Sequence, residues 1–127
     1  MTVYGKYNTI IKTISLHDIR EYRRAIMPRK QLQTLSEPMY YILLVLKEEQ
    51  NGVDIMKRVL EVSKGRVKVG AGTLYTLLGK FEKEGLINST KREGRKCWYI
   101  ITNKGREILQ TEYNRLNTMI DDGEILK

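Results

Sequence analysis

The sequence predicts a mainly α-helical domain with one small β-hairpin, followed by a long C-terminal helix. Within residues 69–87, apolar residues recur at the spacing of one helix face. Directly downstream, two runs rich in β-branched and aromatic residues flank a charged segment that contains Gly94, which is typical of a β-hairpin. A helix followed by such a hairpin predicts a winged helix-turn-helix, and an apolar stripe near the C-terminus predicts a dimerisation helix.

Length and composition limit the possible classes of protein. A chain of 127 residues with 41% hydrophobic residues suits a single domain with one core. No apolar run approaches the length of a membrane span, the N-terminus lacks the apolar segment of a secretory signal, and a single cysteine excludes an internal disulfide. We therefore expect a cytoplasmic protein, and its net charge of +8 favours an anionic partner.

Residues 1–28 are predicted to be a basic N-terminal extension. Residues 1–30 contain seven Lys or Arg and two acidic residues, and Ser15 can cap a short helix over about 16–27. Two interpretations stay open. The extension is either an arm specific to this lineage or the product of an upstream start codon, since Met27 would also be a natural start.

Two helices are predicted to open the winged-helix domain, which spans residues 29–102. Ser36 caps the first helix, Pro38 lies in its first turn, and its core stripe is Met39, Ile42, Leu43 and Leu46. Residues 47–52 form a predicted polar turn. The second helix runs from Val53 to about Ser63, and its predicted buried residues are Val53, Met56, Val59 and Leu60.

The next helix, which we term the recognition helix, has two distinct faces. Its apolar stripe consists of Leu74, Leu77, Leu78 and Phe81. The opposite face is polar, aromatic and basic, which suits the major groove of DNA. On this face we predict DNA contacts by Thr73, Tyr75, Thr76, Lys80 and Lys83. The alternatives are that this face is merely solvated, that Tyr75 supports the fold, or that Thr73 caps the helix.

The hairpin is predicted from residues 86–91 and 97–102, with residues 92–96 as its tip. The tip is charged, and its candidates for phosphate contacts are Arg92, Arg95 and Lys96. Residues 64–106 contain eleven Lys or Arg and three Glu, a local net charge of +8, whereas residues 31–63 contain three cations and five acids. Neutralising phosphates releases counterions, so such binding falls steeply with salt. A solvated basic surface is the alternative.

The last helix is predicted over residues 103–122, with 123–127 as a tail. Its stripe of Leu109, Tyr113, Leu116 and Ile120 has the spacing of a two-stranded coiled coil. At about 30 Å the helix is longer than a small core can cover. We therefore predict that these four residues form the interface of a homodimer with two-fold symmetry. The alternative is that the stripe packs on its own domain.

The remaining reactive side chains form no recognisable catalytic or metal site. His17 and Cys97 are far apart in sequence, and neither has partners at metal-ligand spacing. We therefore predict no enzyme activity, no metal and no cofactor. We predict that Cys97 is buried, and the alternative is that it senses oxidants. We predict that Trp98 and Tyr99 form an aromatic pair on the core face of the hairpin, and the alternative is that Trp98 stacks on a ligand.

The sequence resembles the PadR family of bacterial transcriptional regulators over about residues 29–123. The resemblance lies in the aromatic pair after Glu37-Pro38, in Gly-x-Gly-Thr-Leu-Tyr at 70–75, and in Thr-x-Lys-Gly-Arg-Glu at 102–107. It implies a dimeric winged-helix DNA binder, usually a repressor, in which Tyr75 faces DNA. The short C-terminal helix resembles a subfamily in which some members stack planar drug-like compounds on a tryptophan of that helix. This chain has only Tyr113 as an aromatic residue there.

The residues and the resemblance together predict a homodimeric repressor that binds a near-palindromic operator in double-stranded DNA and is released by an unknown effector, for which a small molecule is one candidate. Two rival functions are a winged helix used only for protein–protein contact and a small-molecule sensor with secondary DNA binding. The sequence identifies neither the operator, nor the regulated gene, nor the effector.

Overall fold

The computed structural model describes residues 34–127. In chain order these form α1 (Glu37–Val45), β1 (Gln50–Asn51), α2 (Gly52–Val62), α3 (Ala71–Lys83), β2 (Ile87–Glu93), β3 (Lys96–Ile101), α4 (Asn103–Asp122) and a 3-10 turn (Gly123–Leu126). This order confirms the predicted mainly helical fold with a small sheet. The predicted basic extension and its short helix over about 16–27 lie outside the described residues.

The α1 helix begins as the sequence predicts. The Ser36 side chain caps it by accepting a hydrogen bond from the Met39 amide, and Pro38 lies in the first turn. Its buried stripe continues into the cap residue Leu46, and α1 packs against both α2 and α4. This helix therefore forms the centre of the helical core.

The α2 helix buries a different face from the one predicted. Asn51 caps it by accepting from the Asp54 amide at 2.9 Å, and Ile55 and Val59 face the core. Val53 and Leu60 are 48% and 41% exposed, so the prediction that they are buried is wrong. Apolar residues make up more than half of this helix, and Val53 and Leu60 lie about 120–140° around the axis from the middle of the stripe formed by Ile55 and Val59.

The sheet contains one strand more than the predicted hairpin. The short β1 pairs antiparallel with β3, which gives the strand order β1-β3-β2. The strands β2 and β3 also extend further than predicted, so that Arg92 and Lys96 belong to them and the turn is reduced to Gly94 and Arg95. A positive φ of 60° at Gly94 fits a tight two-residue hairpin turn.

The recognition helix is α3, and it has the predicted polarity. Leu74, Leu78 and Phe81 are buried and Leu77 is half-buried. Gly70 is the N-cap residue and Thr73 lies within the first turn, so the alternative that Thr73 caps the helix is wrong. The chain leaves α3 through Gly85, whose φ of 76° is the left-handed conformation that ends many helices.

The α4 helix covers residues 103–122, as predicted. Thr102 caps it by accepting from the Gly105 amide at 3.1 Å. The predicted tail is partly ordered, because Gly123–Leu126 continues as a 3-10 turn. Among residues 34–127, no helix is both long and apolar enough to cross a membrane.

Candidate nucleic-acid interface

The recognition helix presents one continuous exposed face. The five side chains of this helix that are predicted to contact DNA are all exposed: Thr73, Tyr75, Thr76, Lys80 and Lys83. They lie opposite the buried stripe, and Tyr75 is 53% exposed despite its size. Lys80 and Lys83 lie in the last turn, where a cation is favourable beside the negative end of the helix dipole.

Tyr75 also contacts the beginning of α2. A Cβ atom built on Gly52 would lie 2.5 Å from the Tyr75 hydroxyl oxygen, which means that the ring rests directly on this glycine. Tyr75 therefore combines an exposed surface with a packing contact. Tyr75 is exposed, as predicted for a residue that contacts DNA, and it also packs on α2, which was the alternative.

The hairpin of β2 and β3, which we term the wing, and the recognition helix border a basic hollow. It has a volume of about 400 Å³, and Tyr75, Arg92, Arg95 and Lys96 all line it, with Asn51, Gly52 and Val53 at the start of α2. None of the three wing cations forms an ion pair with another residue of 34–127. The structure thus brings together four of the eight predicted DNA-binding residues, three of which are cations.

Cys97 and Tyr99 complete the lining of the basic hollow. Burial, together with a hydrogen bond to Cys97, raises the pKa of Tyr99 to about 12, so its phenol is uncharged at neutral pH. Cys97 itself is half-buried. The positive charge of the hollow comes from Arg92, Arg95 and Lys96.

The aromatic residues of the wing lie on opposite faces of β3, because successive strand residues alternate. Tyr99 is buried, whereas Trp98 is half-buried and carries the Lys91 ammonium 4.5 Å above its ring centroid. The predicted aromatic pair on one core face is therefore wrong. Lys91 also forms an ion pair with Glu93 at 3.6 Å, so its charge is partly neutralised.

The turn before the recognition helix is held by an ion pair and a hydrogen bond to α1. Arg66 donates to the Tyr41 hydroxyl at 2.7 Å and approaches Glu37 at 3.4 Å. Sequence reasoning could not find this cluster, because its residues are more than twenty positions apart. The contacts join the turn before α3 to α1 at the protein surface.

Comparison with known proteins identifies the family of this chain. The model of the transcriptional regulator PadR-like family matches residues 42–111, which is more than half of the chain. The chain belongs to the PadR-like family. It is therefore a DNA-binding transcriptional regulator, and its family consists of regulators rather than enzymes.

Solved structures show the same fold at low sequence identity. A PadR family transcription regulator from Clostridium difficile is 22% identical with a TM-score of 0.62, over 72% of this chain and 98% of that one. A PadR family regulator from Eggerthella lenta is 21% identical with a TM-score of 0.60, over 97% of both chains. RosR from H. salinarum is 21% identical with a TM-score of 0.55, over 76% of this chain and 100% of that one. No curated protein matches the chain significantly.

The apolar stripe of the C-terminal helix in this PadR-like chain is buried in the first half of the helix and mostly exposed in the second half. Leu109 is only 7% exposed and lies in the core of its own domain, so its predicted availability to a partner is wrong. Leu116 is half-buried, whereas Tyr113 and Ile120 are exposed, the latter by 66%. The exposed apolar surface therefore begins at Tyr113 and continues through Met119.

A buried carboxylate that the sequence did not reveal lies between the two halves of α4. Glu112 is 4% exposed, and its side chain accepts hydrogen bonds from the Leu35 amide at 2.9 Å and from Arg115. The hydrogen bonds from Arg115 lower the pKa of Glu112 and outweigh the effect of its burial. A single glutamate in a polar helix gives no sequence signal, because its partner is a backbone amide 77 positions away.

A second hollow lies between α1 and α4. Its volume is about 370 Å³, and it is lined by Tyr40, Leu44, Lys47, Arg106, Leu109, Gln110 and Tyr113. Burial raises the pKa of Tyr40, with a smaller contribution from Tyr113. Among residues 34–127 no cluster of side chains could hold a metal ion.

Proposed function

We propose that this PadR-like regulator is a homodimeric repressor that binds a near-palindromic operator in double-stranded DNA and is released by a small-molecule effector. The observation that carries the proposal is the convergence of Tyr75 and three wing cations, none of them in an ion pair within residues 34–127, on one hollow beside the exposed face of α3. This convergence favours an anion-binding site over a basic surface that is merely solvated, because cations of the wing line the same hollow as a residue of α3. The protein would act in the cytoplasm, on chromosomal DNA.

The two ends of α3 would have different roles on DNA. In helix-turn-helix proteins the first residues of the recognition helix contact base edges. Thr73 and Thr76 lie there, and their hydroxyls can donate to or accept from bases. Lys80 and Lys83 lie in the last turn and would contact phosphates, as would Arg92, Arg95 and Lys96 on the wing.

The exposed half of α4 supports the proposed dimer. Tyr113, Met119 and Ile120 are large apolar side chains at half exposure or more, and Leu116 lies between them. Packing this stripe against the same stripe of a second copy would bury it and would place two recognition helices about 34–36 Å apart, one turn of DNA. Occupancy of the operator would then repress transcription.

The hollow between α1 and α4 favours a second candidate function, small-molecule sensing. Its lining combines two phenols with the cations Lys47 and Arg106, and Tyr113 belongs both to it and to the exposed stripe of α4. A ligand there would contact the proposed dimer interface. It would release DNA only by binding unequally to the two arrangements of the dimer.

The test of DNA binding is the salt dependence of affinity. Fluorescence anisotropy would measure the dissociation constant for duplexes of about 30 base pairs, which accommodate two half-sites, over a range of salt concentrations. One duplex has mixed sequence, and the other is selected by the wild-type protein from a random library. We expect the logarithm of the affinity to fall steeply with the logarithm of the salt concentration, and we expect tighter binding to the selected duplex. A slope near zero would instead support the protein–protein contact module.

The test of the dimer is the mass of the protein in solution. Sedimentation equilibrium should give a dimer for the wild type and a monomer for Ile120→Glu, because the substitution places a charge in the buried seam. Ile125→Glu is the matched control, since Ile125 is 88% exposed and lies outside α4. If Ile120→Glu remains dimeric, the proposed interface is wrong.

A further inference from the structure

Gly52 lines the basic hollow, and its own backbone conformation does not require glycine. Its φ lies outside the left-handed region, so any residue could adopt its conformation. It is the first residue of α2, where alanine would favour the helix over glycine. Neither backbone strain nor helix formation requires glycine here.

The contact that does require glycine is the one with Tyr75. An added Cβ would lie 2.5 Å from the Tyr75 hydroxyl and 3.0 Å from the ring carbon that bears it. The conflict is with the far end of an exposed side chain, which can rotate away without disturbing the core. A side chain at position 52 would therefore move Tyr75 and leave the fold intact.

Within residues 34–127, the Tyr75 hydroxyl has no hydrogen-bond partner that would compete with a ligand. Packing on Gly52 fixes its location. Arg92, Arg95 and Lys96 line the same hollow, which makes it attractive to a phosphate oxygen. A phenol held at this place can donate to that oxygen.

We infer that Gly52 is a positioning residue for DNA binding: it allows the Tyr75 hydroxyl to lie between α2 and the wing, where it donates to a backbone phosphate. This inference rests on the proposed function and refines it, because it assigns Tyr75 to the phosphate backbone rather than to base edges. Gly52 itself contacts no DNA and acts only through Tyr75.

A double-mutant cycle tests the inference. It compares the wild type, Gly52→Ala, Tyr75→Ala and the double variant on the mixed-sequence and the selected duplexes described above. Gly52→Ala should weaken both about tenfold, the value of one hydrogen bond to a charged group. In the Tyr75→Ala background the same substitution should have no further effect. The matched control is Gly123→Ala, where a Cβ meets nothing within 4 Å.

Two further measurements separate positioning from a structural role. The salt slope of Gly52→Ala should equal that of the wild type, because neither residue is charged; a lower slope would mean that the wing is distorted and would overturn the inference. Tyr75→Phe removes only the hydroxyl, keeps the packing ring, and should also weaken both duplexes about tenfold.

Each remaining outcome has a definite meaning. Wild-type affinity for Gly52→Ala or for Tyr75→Phe would overturn the inference while leaving the proposed function in place. A loss confined to the selected duplex would make Tyr75 a base reader and would overturn the phosphate assignment. Failure of the wild-type protein to bind either duplex would instead overturn the proposed function, and the inference with it.

Discussion

Replacing Glu112 by glutamine should destabilise the domain although the two side chains have the same shape. The Glu112 carboxylate accepts from the Leu35 amide and from two nitrogens of Arg115. Glutamine offers one acceptor oxygen and presents an NH₂ group in place of the other. At least one of the donors then loses its acceptor within a site that is 4% exposed.

The expected loss of unfolding free energy depends on what Arg115 and the Leu35 amide each lose in the variant. The Arg115 side chain is 40% exposed, so water replaces much of what it loses. A glutamine oxygen can still accept from the buried Leu35 amide, but it replaces a charged acceptor by a neutral one and turns an NH₂ group towards Arg115 Nε, which together cost about 2 kcal/mol. For a chain of this length that lowers the melting temperature by about 6–8 °C.

Thermal unfolding followed by circular dichroism measures this effect. Protein concentration has to be fixed, since any self-association adds stability by mass action. The matched control is Glu107→Gln, an exposed glutamate on the same helix, which should melt as the wild type does. Hydrogen exchange at the Leu35 amide should accelerate only in Glu112→Gln. Equal melting temperatures for the two variants would refute the argument.

The stability difference should also depend on pH in a defined direction. The pKa of Glu112 is lower in the folded state, so its contribution is complete above the unfolded value of about 4.3 and is lost as the pH falls through the folded value. The gap between wild type and Glu112→Gln should be constant from about pH 5 to 8 and should narrow below about pH 4. A gap that widens in acid would contradict the assigned role of the charge.

Three further substitutions test other parts of the chain. Gly105→Ala should destabilise the domain by about 3 kcal/mol in denaturant titrations, because its Cβ would overlap the Leu86 carbonyl oxygen; a neutral effect would contradict this packing. Gly79→Ala should stabilise it by about 0.5–1 kcal/mol, since the site is open and helical, and a loss of stability would be inconsistent with that. Lys83→Ala should lower the salt slope of DNA binding by about 1, whereas Lys127→Ala should leave it unchanged.

The sequence predicted the elements that have strong periodicity and clear caps. Ser36 and Thr102 begin α1 and α4 where predicted, because a capping side chain acts on an amide three residues away and needs no tertiary information. The apolar stripe of α3 was likewise predicted from the spacing of its residues along the sequence. These are the elements in which local and tertiary preferences agree.

Three features could not be predicted because they depend on the assembled domain. The β1 strand has two polar residues and exists only by pairing with β3. The buried face of α2 was ambiguous because Val53 and Ile55 are equally apolar, and only packing selects Ile55. The contact between Gly52 and Tyr75 joins residues 23 positions apart, so spacing within a helix carries no sign of it.

The joint between α3 and α4 would couple the proposed dimer interface to the recognition helix. The Thr102 hydroxyl donates to the Gly85 carbonyl at 2.7 Å, and the Lys104 ammonium donates to the Glu84 carbonyl at 2.9 Å. Gly105 lies against the Leu86 carbonyl so closely that no side chain fits between them. The first turn of α4 is thus attached to the residues that end the recognition helix. If α4 pairs with a second copy, a change in the crossing of the two helices moves both recognition helices as rigid extensions of them, because the joint has no flexible linker to absorb the change.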